Sequence, residues 1–79
     1  MATLLLFGPA RTAAGCGRVT IDAGSVRALC EEAVRRFGPD FERVLAGAAV
    51  WVNGDQAQDA TPIGEGDEVA VVPPVSGGA

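Results

Sequence analysis

The sequence predicts an α+β fold in which a five-stranded sheet packs on one main helix. Three observations carry that expectation. One capped amphipathic helix lies between Ser25 and Gly38, one Asn53-Gly54 pair marks a tight hairpin, and short apolar or β-branched runs flank both. The resulting order is β, β, α, β, β, β, and a sheet covered on one side by the helix is its simplest packing solution.

The first run, Thr3 to Phe7, is continuously apolar and is closed by Gly8-Pro9, so its length and its breaker favour a strand. Residues 8–17 hold three glycines, a proline and small side chains, and read as a loop. Arg18-Val19-Thr20-Ile21 alternates and is β-branched, the pattern of a second strand.

In the helix, Ser25 is a good N-cap, because its hydroxyl accepts from a first-turn amide. Val26, Leu29, Cys30, Ala33, Val34 and Phe37 follow at spacings of three and four, which lays one apolar stripe along one face. Glu31–Arg35 and Glu32–Arg36 are i,i+4 pairs on the wet side, and both arginines fall in the last turn, where the helix dipole favours cations. Gly38-Pro39 ends the helix, and Phe41 to Leu45 reads as a short extra helical turn.

Ala49-Val50-Trp51-Val52 is the third strand, Asp55 to Ala57 a short fourth, and Glu68-Val69-Ala70-Val71-Val72 the fifth. Strand side chains alternate between faces. With Leu4, Leu6, Val50, Val52, Val69 and Val71 turned to the helix, the far face carries Leu5, Phe7, Trp51, Ala70 and Val72. An apolar patch that includes a tryptophan is expected to be a partner-binding surface. The competing expectation is that residues 8–17 or 39–48 fold over it.

Composition narrows the function classes. The chain has 79 residues, six arginines, no lysine, no histidine and ten acids, for a net charge of −4. A domain of this size buries only about 60% of its unfolded surface, enough for one modest core. The acidic balance speaks against nucleic acid and against an anionic membrane as partners. Without histidine the commonest general base and metal ligand is missing, and without lysine there is no Schiff-base chemistry and no acceptor for an isopeptide bond. Two cysteines, Cys16 and Cys30, do not make a disulfide scaffold, so a reducing cytoplasm is the expected setting. No window is long enough for a membrane span.

Candidates for catalysis are poor. Glu65, Asp67 and Glu68 are close in sequence but read as a solvated turn. Cys30 lies on the apolar helix face and reads as an inert thiol, whereas Cys16 sits in the glycine-rich stretch and is expected to be exposed. No independent enzyme is expected, and no metal or bound cofactor.

The end of the chain is different. Pro73-Pro74 stiffens the exit from the last strand, and Val75-Ser76-Gly77-Gly78 then shrinks to almost no side chain. Extended, Pro73 to Gly78 reaches roughly 17 Å. Such an arm is thin enough for a narrow channel, and glycine lets its backbone approach another protein's reacting atoms closely. A frayed terminus is the bland alternative. The expected layout is a body over residues 1–74 and a flexible tail over 75–79.

The Asn53-Gly54 hairpin, the run Gly66-Asp67-Glu68-Val69 and the ending Pro73-Pro74-Val75-Ser76-Gly77-Gly78 resemble the MoaD/ThiS family of sulfur carriers, ubiquitin-like proteins of the β-grasp fold with a mixed five-stranded sheet. The similarity spans essentially the whole chain. Pro-Pro before Gly-Gly is more similar to the small subunit of molybdopterin synthase than to the thiamine-pathway carrier. The resemblance implies a carrier whose C-terminal glycine, here Gly78, is adenylated and then converted to a thiocarboxylate.

The same resemblance implies partners: a ubiquitin-activating-type adenylating enzyme that uses ATP, a sulfur donor enzyme, and a sulfur-accepting biosynthetic enzyme. The molybdopterin synthase large subunit is the first expectation for the acceptor. Val75, Ser76 and Gly77 would be the arm inside a partner, which would dock on the open sheet face. Carriers for thiamine, cysteine or secondary-metabolite pathways, and protein modifiers, share this layout. One residue departs from the pattern: Ala79 follows Gly78, so Gly78 has no free carboxylate as written. Removal of Ala79 by a protease is the expectation; an Ala79 that stays would leave only a binding role.

Overall fold

The computed structural model describes residues 1–73. In chain order the elements are β1 (Ala2–Leu6), α1 (Gly8–Ala14), β2 (Arg18–Ile21), α2 (Val26–Phe37), α3 (Pro39–Ala46), β3 (Ala49–Val52), β4 (Asp55–Gln56) and β5 (Glu68–Val72). The strands form one mixed sheet in the order β2-β1-β5-β3-β4. β1 and β5 run parallel at its centre, and β1–β2, β3–β5 and β3–β4 are antiparallel.

Alternation along these strands sorts the side chains as the sequence requires. Leu4, Leu6, Val69 and Val71 are buried, and they meet Val26, Leu29 and Ala33 of α2 in one core. Cross-strand register aligns Leu4 with Val69 and Val69 with Val52, and Leu6 with Val71 and Val71 with Val50, so all six share the inner face. The bounds of α2 match the periodicity, and Ser25 caps it by accepting from the Ala28 amide at 3.1 Å. Asn53 and Gly54 turn the β3–β4 hairpin at φ of 51° and 89°, the two positive values that such a turn needs.

Three expectations change. Residues 8–17 are not all loop: Gly8–Ala14 is helical, started by Pro9 and ended by Gly15 at φ 79°, whose amide donates to the Arg11 carbonyl. Proline suits the first helical turn because its missing N–H has no partner there anyway, and Ala10, Ala13 and Ala14 have high helix propensity. The extra turn after Pro39 is longer than expected, and its Phe41 is fully buried, with the Phe37 and Phe41 rings 5.2 Å apart. Finally, Arg35 pairs with Glu32 instead of Glu31, and Glu31 pairs with Arg27. Glu32 collects both Arg35 and Arg36 because i,i+3 and i,i+4 neighbours both lie within its reach.

α1 and α3 join α2 on the inner side. Ala10 and Phe41 belong to the core, and Val44, Leu45 and Ala48 pack against it. Neither segment folds over the far face of the sheet. The stretch after β4 instead wraps the start of α2: the Val26 amide donates to Thr61, the Arg27 amide to Asp59 and the Ile63 amide to Gly24.

Candidate partner surface and tail root

The open side of the sheet is built by the strand register. Arg18 pairs with Leu5, Leu5 with Ala70, Ala70 with Trp51 and Trp51 with Gln56, so one rung crosses all five strands. Val72 pairs with Ala49 on the next rung. Leu5, Trp51, Ala70 and Val72 are half-buried, and none belongs to the core. Trp51 is therefore not a core residue, although its strand neighbours Val50 and Val52 pack inward.

Phe7 is displaced from its expected place. β1 stops at Leu6, and Phe7 is the N-cap of α1. Its backbone is still extended, at φ −130° and ψ 152°, so it continues the Leu5 alternation and is 48% exposed. It follows Leu6, the partner of Val71, and so stands beside Val72 where β5 ends.

That corner is the root of the tail. Gly8 has φ +57°, and a Cβ built on it would lie 3.4 Å from the Pro73 side chain. Glycine is favoured at Gly8 because L-residues rarely adopt that φ; the contact makes the start of α1 a seat for the departing chain. The sequence marks Gly8 only as a strand breaker. The signal that could have placed it is its position directly after an apolar strand, with proline next. The expected arm residues Val75, Ser76 and Gly77, the expected sulfur-bearing Gly78, and Ala79 lie outside the described residues.

The acidic run before β5 is structural. Asp67 accepts from the Gly64 amide at 2.9 Å and from the Asn53 side-chain amide at 3.1 Å. The Asn53 side-chain oxygen in turn accepts from the Glu68 amide at 2.9 Å. These bonds tie the β3–β4 turn to the turn that feeds β5. They also stabilise the ionised form, so the Asp67 carboxyl lies below its ordinary value, chiefly through Gly64 and then Asn53. Glu65 pairs with the Met1 ammonium.

Neither cysteine suits nucleophilic work. Burial raises the Cys30 thiol to about 11, and nearby Asp59 and Glu31 push it the same way. A thiol so raised carries almost no thiolate at neutral pH. Cys16, expected to be exposed, is half-buried against the core, because α1 folds back over the sheet; both thiols are free. Among the described residues no group of histidines, cysteines and carboxylates could hold a metal ion, and no helix is long and apolar enough to cross a membrane.

Among the described residues, a mixed sheet with helices on one side only and with the last strand, β5, at its centre beside a parallel β1 defines a ubiquitin-like β-grasp protein. The family is fixed by sequence: residues 4–78 match the model of the ThiS family, and the chain belongs to that family. It is 33% identical over 78 residues to the molybdopterin synthase sulfur carrier subunit of Arabidopsis thaliana, which covers 95% of this chain and 80% of that protein. The crystal structure of SAMP1, a small archaeal modifier protein from Haloferax volcanii, is 29% identical, with a TM-score of 0.78 over 95% of this chain and 96% of that one. Subunit 1 of the molybdopterin-converting factor of Helicobacter pylori, solved as a complex with subunit 2, shares the fold at 23% identity, with a TM-score of 0.69 over 94% and 93% of the two chains.

Proposed function

We propose that this chain is a sulfur carrier for molybdopterin synthesis, a cytoplasmic carrier protein and not itself an enzyme. The observation that carries the reading is the likeness to the Arabidopsis sulfur carrier subunit over nearly the whole chain, joined to the Pro-Pro-Val-Ser-Gly-Gly ending. A protease first removes Ala79, which frees the Gly78 carboxylate. A ubiquitin-activating-type enzyme then adenylates it: a carboxylate oxygen attacks the α-phosphate of ATP and pyrophosphate leaves. Hydrosulfide supplied by a donor enzyme attacks the same carbonyl carbon and AMP leaves, giving the thiocarboxylate. Adenylation is required because a bare carboxylate is a poor acyl donor. The ATP belongs to the partner, and this chain supplies the body that is recognised and the arm that enters.

The open face supports docking. Leu5, Phe7, Trp51, Ala70 and Val72 surround the point where β5 ends, so a protein that grips them holds the root of the arm. The sulfur-accepting partner in this reading is the large subunit of molybdopterin synthase, a pairing supported by the two-subunit complex of the Helicobacter factor.

Intact mass after incubation with the cognate adenylating enzyme, ATP, a sulfur source and the trimming protease tests the mechanism. The expected product lacks Ala79 and carries sulfur in place of one oxygen. A chain that stays at 79 residues with a competent protease present, or a trimmed chain that gains no sulfur, sinks it. The likeness to SAMP1 favours one second reading, attachment of Gly78 to lysines of other proteins. Because this chain has no lysine, it cannot form lysine-linked chains of itself. A modifier role would then add single chains to target lysines, visible as a short ladder of conjugates.

A further inference from the structure

The open face carries a cation that the docking reading leaves unused. Arg18 shares the central rung with Leu5, Ala70 and Trp51. It is exposed, while Val19 and Ile21 on the same strand turn to the core. Arg27, Arg35, Arg36 and Arg43 each have a carboxylate within 3.5 Å, but Arg18 pairs with none among the described residues. The acid on the same face, Glu68, is the cross-strand partner of Thr3, and so lies two strands and one rung away. Strands are about 4.8 Å apart, so β1 separates the two backbones, and no ion pair joins Glu68 to Arg18 among the described residues.

The face is thus divided. Phe7, Val72, Leu5, Ala70 and Trp51 make an apolar half beside the root of the tail; Thr20, Thr3 and Glu68 make a polar half at the opposite end; Arg18 marks the lateral boundary. A partner pressed on Leu5 and Ala70 takes water from a guanidinium one strand away. Desolvating that charge is unfavourable unless a carboxylate replaces the water, and a guanidinium fork receives a carboxylate in a two-point, directional pair.

We propose that Arg18 is a specificity-determining residue that binds an aspartate or glutamate of the protein docked on this face. The apolar half alone permits rotation about the sheet normal, because burial has no direction. A charged pair at one edge removes that freedom, and with it fixes where the chain beyond Val72 is aimed. The inference rests on the docking surface proposed above and adds the chemistry of its partner: an apolar plate with an acidic residue at the β2 edge.

Calorimetric titration of the full chain with the purified molybdopterin synthase large subunit, between roughly 0.05 and 0.3 M salt, tests it. Arg18→Gln is expected to weaken binding about tenfold and Arg18→Glu about 30-fold or more, with a flatter salt dependence in both. Unchanged melting temperatures would locate the loss at the interface, and Glu68→Gln should bind within about twofold of wild type. Wild-type binding with both Arg18 variants unchanged in affinity and salt dependence overturns this inference alone. No binding by the wild-type chain overturns the proposed acceptor, and this inference with it.

Discussion

Asn53 and Asp67 show how much one side chain can organise. Asn53 takes a left-handed φ to turn the hairpin, and its amide group bonds both Asp67 and the Glu68 backbone. Asp67 is held below its ordinary value of 3.8, so protons bind the unfolded chain more readily than the folded one. Its contribution to stability is fully present above that ordinary value and is lost as pH falls through the lowered folded one. Melting temperature should therefore drop on acidification below about pH 4. Asp67→Ala should melt lower at neutral pH and show a smaller acid drop; an equal drop in the variant would remove Asp67 as its source. Trp51 allows a second measurement at this scale. The chain has one tryptophan and no tyrosine, so near-ultraviolet emission comes essentially from a half-buried ring on the open face. Docking there should shift the emission to the blue, and Trp51→Ala should weaken partner binding while shifting the unfolding midpoint little. An equal loss of stability and binding would place Trp51 in the fold and not at the interface.

At the scale of elements, local chemistry decides what could be read in advance. α2 was legible end to end because cap, stripe, terminal arginines and Gly38 all agree. Ser25→Ala should remove its one side-chain cap bond and cost about 1 kcal/mol, a fall of roughly 4–8 °C in melting temperature for a domain this small; no measurable change would mean that the Thr61 and Asp59 carbonyls hold the first turn unaided. α1 was not legible, because its glycines, proline and small residues have the composition of a loop. Only its arrangement, Pro9 at the start, three alanines and Gly15 just past the end, has helical logic. The strand faces were readable as sets, since alternation ties Leu5 to Leu6 and Trp51 to Val50. The ion pairs of α2 were readable by spacing but not by partner, since Glu32 had two arginines within reach and spacing alone does not choose. Pairing order across the sheet was out of reach of periodicity, and with it the central rung that places Arg18 beside Leu5.

Across the whole molecule, one asymmetry sets where stability resides. The three helices of the described residues lie on one face of the sheet, so the interior is concentrated there, and the other face is the one proposed for docking. Phe41 is at the centre of that arrangement: it comes from α3, is fully buried in the core with Ala10 of α1 and Leu29 of α2, and meets the Phe37 ring in a tilted contact. Truncating a buried phenylalanine costs about 3–5 kcal/mol, whereas native domains are stable by only about 5–15 kcal/mol, and small ones sit low in that range. Phe41→Ala should therefore bring the chain near its folding threshold, with a much lower urea midpoint and a substantial unfolded fraction at physiological temperature. Trp51→Ala, an equally drastic truncation on the opposite face, should leave the midpoint nearly in place. The contrast tests the asymmetry itself: similar midpoints for the two variants would mean that both faces stabilise the monomer and that neither is reserved for another protein. The central position of β5 adds the functional consequence. A chain leaving an edge strand could swing with that edge, but β5 is held between β1 and β3 as far as Val71, and Val72 still pairs with Ala49 of β3, so the chain reaches Pro73 from the most constrained part of the sheet; in the proposed carrier reading, whatever follows inherits the orientation given to that face.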